Sequence, residues 1–283
     1  MFNGEYVGLF RCEDKRGIPD LYLGKSKDGA NWTLETEPVA FYNPDGTRFT
    51  YPYAYDPRLI KIEDTYYTVF CADIEGPSIY IAKTKDFKHF EKVPTGFLPF
   101  NRNGVLFPEK INGMYYKLDR PYDYPSSCSG EIWISESPDL IHWGNFRPVL
   151  KQGYKFWNTV KIGPTPAIKT DKGWLTIFHT VDKNNLRRKN GWERTWKKRY
   201  CAGIMLLDLN DPSKIVGMSK LPLIAPETYY ETQTGFRQHV IFPGGMILED
   251  DGEVKIYYGA ADTVECGATA KLEELIALCK EER

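Results

Sequence analysis

What this chain most clearly lacks is an excess of charge of one sign. Its 283 residues carry 37 Lys and Arg against 38 Asp and Glu, a net charge of -1, so no uniform field exists to gather a nucleic acid or a membrane surface. Neither is expected as a partner, and a small polar ligand is the better match. Histidine is scarce at 4, and the 6 cysteines (Cys12, Cys71, Cys128, Cys201, Cys266 and Cys279) form no C-x-x-C pair and no zinc spacing. No metal is expected, and the thiols read as reduced, as in a cytoplasmic protein. No apolar run is long enough to span a membrane, and Met1-Phe2-Asn3-Gly4-Glu5 does not resemble a signal peptide.

Aromatic side chains, by contrast, are plentiful. They make up 14% of the chain, with 7 Trp and 19 Tyr, which suits both a strand-rich fold and the stacking of sugar rings. One pattern returns five times: a strand ending in polar residues, then a short loop. It is clearest at 21–32, at 79–90 and at 132–143, weaker at 203–209, and degraded at Gly267-Ala268-Thr269-Ala270. Copies about fifty to seventy residues apart suit the four-stranded blades of a propeller. Upstream of each lies a second strand, at 5–11, 65–71, 114–120, 174–179 and 254–259, following turns such as Asn112-Gly113, Lys172-Gly173 and Asp251-Gly252. One step earlier comes an inner strand, at 56–62, 106–111, 165–169 and 242–248. The first blade has none, because Asn3-Gly4-Glu5-Tyr6 already forms the turn that would follow it. The chain is therefore expected to be an all-β, five-bladed β-propeller, a single domain over 1–283, N-terminally incomplete and lacking the first blade's inner strand. Apolar residues at helical spacing over 272–280 predict a short C-terminal helix.

In a propeller, inner strands and their loops converge on the axis, so polar residues recurring there become neighbours. The candidates are Arg11, Arg16, Asp56, Arg102, Asn103, Arg120, Lys161, His179 and Asp262. They amount to one well-placed acid and an excess of cations. The alternatives are solvated charges at strand ends, a turn role for Asp56 before Pro57, and an ion pair of Arg120 with Asp119 or Asp123.

Tyr55-Asp56-Pro57-Arg58, the segment 101–113, Asp139-Leu140-Ile141-His142-Trp143-Gly144, Lys161-Ile162-Gly163, the segment 206–214 and Tyr257-Tyr258-Gly259-Ala260-Ala261-Asp262-Thr263 together resemble glycoside hydrolase family 130. That family consists of five-bladed propellers acting on β-mannosides. The resemblance implies an inverting phosphorylase that splits β-1,4-mannosyl-glucose or short β-1,4-mannooligosaccharides and releases α-mannose 1-phosphate. Asp56 would be the general acid, delivering its proton through the sugar 3-hydroxyl. One acid suffices because phosphate is already a competent nucleophile, unlike the water of an inverting hydrolase. The family's phosphate-binding positions fall on Arg102, Arg120 and Lys161, with His179 and Tyr200 completing the pocket. Arg11, Arg16, Asn103 and Asp262 would surround the mannose ring, with Phe242 as an apolar wall or as simple inner-strand packing. Inorganic phosphate is then a co-substrate, no cofactor is implied, and homo-oligomerisation is left open.

Two features depart from the family's phosphorylases. The stretch 183–199 is long and basic, with Arg187, Arg188 and Lys189, and its Trp192 and Trp196 either stack on a sugar or anchor a solvated loop. Some members hydrolyse β-1,2-mannosides with paired glutamates, and Glu193 with Glu227 or Glu231 offers such a pair. Hydrolysis is thus the second reading, and an inactive carbohydrate-binding propeller the third.

Overall fold

The computed structural model describes residues 1–122, 130–154, 161–183 and 198–279. Antiparallel hairpins follow one another along the chain in five sheets, the blades of a five-bladed β-propeller. The first sheet holds β1 (Tyr6–Glu13), β2 (Pro19–Ser26) and β3 (Thr33–Leu34) in that order. Next come β4 (Phe41–Tyr42), β5 (Ala54–Ile62), β6 (Thr65–Asp73), β7 (Pro77–Thr84) and β8 (Phe90–Lys92), in the spatial order β4-β8-β7-β6-β5. Here β4 runs parallel to β8 and covers the sheet's outer edge. The third sheet contains β9 (Asn101–Leu106), β10 (Tyr115–Pro121), β11 (Ile132–Ser137) and β12 (Gly144–Leu150). The fourth contains β13 (Lys161–Pro164), β14 (Ile168–Lys169), β15 (Trp174–Lys183), β16 (Lys198–Leu207) and β17 (Ile215–Met218). After a one-turn helix α1 (Tyr229–Thr232), the fifth sheet holds β18 (Ile241–Leu248), β19 (Glu253–Ala260) and β20 (Val264–Lys271), and α2 (Leu272–Leu278) follows. Among the described residues, no helix is long and apolar enough to cross a membrane.

The expected strands form with two corrections. The inner strand of the third blade lies at Asn101–Leu106 rather than 106–111, because Pro108 has no N–H to continue the ladder and the chain turns through Asn112-Gly113 instead. The expected inner strand at 165–169 is split into β13 and β14, with Pro166 in the gap. The first sheet has three strands with β1 at one edge.

The recurring loop is a turn organised by one aspartate. Asp28 Oδ1 accepts the backbone N–H groups of Ala30 and Asn31, Asp86 Oδ1 those of Lys88 and His89, and Asp139 Oδ1 those of Ile141 and His142. A hydroxyl two residues earlier, on Ser26, Thr84 or Ser137, bonds each aspartate. The next residue adopts positive φ in every copy: Gly29 at 74°, Phe87 at 58° and Leu140 at 68°. Phe and Leu rarely adopt this conformation, and the burial of both side chains offsets its cost. Trp32 and Trp143 close their turns by donating an indole N–H to the carbonyls of Gly29 and Leu140.

Two compact units divide the chain: Met1–Asp119 with Ser135–Asn145, and Arg120–Ile134 with Phe146–Arg283. In the first, Leu21 and Leu23 of β2 pack with Phe41, Phe70, Phe87 and Phe90, and Phe41 stacks on Phe70 at 4.4 Å. In the second, α2 buries Leu275, and Cys279 just beyond it, among Ile204, Leu206, Val254 and Ile256. Gly217 is required where α2 ends, since a Cβ there would meet the Cys279 carbonyl at 2.1 Å. The described cysteines, Cys12, Cys71, Cys201, Cys266 and Cys279, are free thiols.

The turn aspartates give the fold a defined acid sensitivity. Backbone N–H donors, those of Asn31, His89 and His142 foremost, hold the carboxyls of Asp28, Asp86 and Asp139 below the usual carboxylate range. The unfolded chain therefore takes up these protons first, so the stabilisation is complete above an unfolded value of about 3.9 and disappears as pH falls through the lower folded values. In urea unfolding followed from about pH 5 to about pH 2, the combined Asp28→Asn, Asp86→Asn and Asp139→Asn variant should lose less stability than the parent. Equal slopes would contradict this origin.

Candidate active site

Asp56 sits on a β-bulge. Tyr55 pairs with Cys71 and Arg58 with Val69, so Asp56 and Pro57 together oppose a single residue of β6. The bulge puts Asp56 at φ 52° immediately before a proline, a conformation that costs about 1–3 kcal/mol and persists only where the surroundings enforce it. Its carboxyl is held by two groups from other strands. Asn103 Nδ2 donates to Oδ2 at 3.1 Å, and an Arg11 guanidinium nitrogen lies 3.7 Å from Oδ1. Asn103, also at positive φ (56°), is almost fully buried. Arg11 is further held by Glu13 at 2.5 Å. The structure thus brings Arg11, Asp56 and Asn103 together. Arg16 is not part of this cluster: it lies in the β1–β2 turn, 76% exposed and paired with Asp14 at 2.7 Å. Two residues from Asp14 in the same turn, it finds its counter-ion locally.

Arg102 rests over the ring of Tyr55, its guanidinium carbon 5.3 Å from the ring centroid. Tyr55 in turn donates its hydroxyl to Asp73 Oδ1 at 2.5 Å, and Tyr53 donates to Asp73 Oδ2 at 2.9 Å. Beneath the same strand, Asn101 Nδ2 donates to Asp119 at 3.1 Å, and Asp119 forms an ion pair with Lys117. Lys117 is 0% exposed, and its ammonium lies 4.7 Å from the ring centroid of Phe97 and 5.3 Å from that of Trp143. This explains how a charged pair enters a blade core: each ion satisfies the other, and aromatic faces receive the ammonium. Asp119, one of the two partners considered for Arg120, is therefore engaged by Lys117 and Asn101.

The remaining candidates lie in the second unit. Lys161 of β13 and Tyr200 of β16 both pair with Val181 of β15 across the sheet. Their side chains meet, with Lys161 Nζ donating to the Tyr200 hydroxyl at 3.1 Å. His179, on the same β15, is buried and stacks on Phe242 at 4.6 Å, while Tyr200 lies 6.0 Å from the His179 ring. Lys161, His179, Tyr200 and Phe242 thus form one cluster that combines a buried cation with hydrogen-bonding groups and an aromatic wall. Asp262 sits at the β19–β20 turn, where Ala261 (φ 51°) and Asp262 (φ 49°) are the central residues and Thr263 N–H bonds the Ala260 carbonyl. Its carboxylate is 3.3 Å from the Arg237 guanidinium. Arg120 is almost fully buried, over the Tyr122 ring at 5.4 Å, and Gly130 lies so close that a Cβ there would come within 2.8 Å of it.

Glu231 serves the backbone. Burial acts to raise its pKa, but the N–H groups of Glu227 and Thr228, which bond its carboxylate, outweigh that and hold it below its ordinary value. Its other oxygen accepts from Tyr258 at 3.3 Å. Glu227 is exposed. Glu193, Trp192, Trp196, Arg187, Arg188 and Lys189, together with Cys128 and Asp123, lie outside the described residues. A groove of about 500 Å³ on the first blade, lined by Glu5, Lys25 and Glu35 among others, contains none of the candidates.

Tyr53, Tyr55, Asp73, Asn101, Lys117 and Arg237 were not singled out from the sequence as contributors, and Asp119 was considered only as a partner of Arg120. A signal existed for some: Lys117 and Asp119 are opposite charges two apart in a strand, hence on one face, as are Tyr53 and Tyr55. Arg237 has no such mark.

The chain is a five-bladed β-propeller with an enforced acid on one inner strand and cations buried beside aromatic rings. The family model described as beta-1,4-mannooligosaccharide phosphorylase, glycoside hydrolase family 130, matches residues 2–281, and the chain belongs to this family. A beta-1,4-mannooligosaccharide phosphorylase of Ruminococcus albus is 36% identical over 98% of this chain and 81% of that protein. A beta-1,2-mannobiose phosphorylase of Listeria innocua is 37% identical over 90% of this chain and 67% of that protein. The solved structure of a beta-1,2-mannobiose phosphorylase from Listeria innocua with beta-1,2-mannobiose superposes with a TM-score of 0.78 at 32% identity, over 93% of this chain and 69% of that one.

The buried pair yields a stability prediction. Lys117→Ala should cost about 3–5 kcal/mol in chemical denaturation, because it leaves the Asp119 carboxylate buried without its counter-ion. The joint replacement Lys117→Met with Asp119→Leu should cost less.

Proposed function

We propose that this chain is an inverting phosphorylase of β-mannosides, releasing α-mannose 1-phosphate from short β-1,4-mannooligosaccharides or β-1,4-mannosyl-glucose. The observation that carries this reading is the cluster in which Lys161, 9% exposed, shares a hydrogen bond with Tyr200 beside buried His179. A buried ammonium and neutral donors suit an anion that must leave water, and phosphate is such an anion. Arg102 and Arg120, both carried on aromatic faces, are assigned the same ligand by family position. Arginine contributes a planar fork for phosphate oxygens and lysine a compact charge.

Asp56 is assigned the proton. A phosphate oxygen attacks the anomeric carbon, the glycosidic C–O bond breaks, and the departing oxygen receives the Asp56 proton through the sugar 3-hydroxyl. The anomeric centre passes from β to α. Arg11, Asn103 and Asp262 are assigned to the sugar hydroxyls, and Phe242 to an apolar wall. The β-1,4 linkage is favoured by the description of the matching family model and by the Ruminococcus albus relative. Hydrolysis is disfavoured because Glu231, one of the acids it would use, is already committed to two backbone N–H groups and to Tyr258.

Two variants separate the roles. With mannose 1-phosphate and a panel of acceptors that includes glucose and mannose, Asp56→Asn should reduce phosphate release about 10²–10⁴-fold while sugar binding persists. Unchanged turnover would place the acid elsewhere. Lys161→Ala should raise the KM for phosphate about tenfold or more and leave the KM for the mannoside within about twofold. Equal changes in both would argue against a phosphate role.

A further inference from the structure

The left-handed conformation of Asp56 before Pro57 needs an enforcing contact, and the residue that precedes it supplies one. Tyr55 is buried, and its hydroxyl bonds Asp73 at 2.5 Å. The second oxygen of the same carboxylate takes the hydroxyl of Tyr53 at 2.9 Å, and the two rings stack with centroids 6.0 Å apart. Asp73 ends β6, and its neighbour Ala72 pairs with Ala54, so the carboxylate is fixed beside the start of the bulged strand. Burial pushes the Tyr55 hydroxyl far above the ordinary phenol range, so it remains a neutral donor. The face of that same ring carries Arg102.

We propose that Tyr55, anchored by Asp73, is a positioning residue whose hydroxyl fixes the bulge that aims Asp56 and whose ring supports Arg102. The inference rests on the roles given above to Asp56 and Arg102. It adds two functions that one side chain keeps separate: the hydrogen bond at the ring's far end acts on the acid, and the π-face acts on the guanidinium. Removing the hydroxyl alone therefore affects proton delivery, whereas removing the ring also affects phosphate. The carboxylate of Asp73 belongs to the first function only.

The test is a split between kcat and KM for phosphorolysis of β-1,4-mannobiose by inorganic phosphate. Tyr55→Phe and Asp73→Asn should each lower kcat about tenfold with the KM for phosphate within about twofold. Tyr55→Leu should lower kcat and also raise the KM for phosphate about tenfold. The Tyr55→Phe, Asp73→Asn double variant should be no slower than Asp73→Asn alone, because the Tyr55–Asp73 bond is already lost in that single variant. Melting temperature and near-UV circular dichroism identify any variant that fails to fold, and Tyr55→Phe, which removes a single oxygen atom, remains interpretable if Tyr55→Leu fails. Wild-type kcat in both Tyr55→Phe and Asp73→Asn, whatever their melting temperatures, would overturn the proposal and leave the hydrogen bond a purely structural one. So would a rise in phosphate KM in Tyr55→Phe as large as that in Tyr55→Leu. Asp56→Asn run alongside separates the two levels: full activity there would remove the reading of Asp56, and the proposal with it, whereas an inactive Asp56→Asn beside an unaffected Tyr55→Phe and Asp73→Asn would remove the proposal alone.

Discussion

A carboxyl group cannot aim itself; in this chain a two-residue bulge at Asp56–Pro57 does so, and contacts from neighbouring strands hold that bulge. The conformation is unfavourable locally, with positive φ on a residue that precedes proline. Contacts from three other strands compensate: Arg11 from β1, Asn103 from β9, and Asp73 at the end of β6 acting through Tyr55. Asn103 is itself at positive φ, and its strand is tied down through Asn101 to the buried Lys117–Asp119 pair. Local strain at one residue is thus distributed over a network of hydrogen bonds and ions that a blade core can bury only because its members satisfy one another.

The second unit buries a cation, Lys161, beside hydrogen-bonding and aromatic groups. Lys161 bonds the phenol of Tyr200, and His179 is stacked on Phe242. A lysine paired with a carboxylate would have its charge neutralised within the fold. In the function proposed above, the Lys161 ammonium contributes to holding phosphate. Lys117 in the first unit is a lysine paired with a carboxylate, that of Asp119.

Much of the architecture was readable because a blade repeats its chemistry. The turn signature of Ser or Thr, then Asp two residues on, then an aromatic, marks three blades for the physical reason seen in the hydrogen bonds: each Asp caps two N–H groups and each Trp caps a carbonyl. Inner strands were harder to place, since they lack that turn and carry prolines, and Pro108 and Pro166 displaced or split two of them. Asp56, Asn103, Lys161, His179 and Tyr200 stood out through resemblance to a family pattern combined with their chemistry. Arg16 did not meet the expectation, because a single sequence cannot reveal that Asp14 claims its charge. Tyr55 and Asp73 escaped notice for the opposite reason: an aromatic and an acid in a strand look like packing and edge residues until the register brings them together across β5 and β6.

The central claim is that phosphate, and not water, breaks the mannosidic bond. It is tested most directly by following the protein with β-1,4-mannobiose in phosphate buffer by proton and phosphorus NMR. Appearance of α-mannose 1-phosphate as the first product, one per inorganic phosphate consumed, is the predicted result. Mannose released at the same rate with phosphate omitted, and no sugar phosphate formed, would contradict the account.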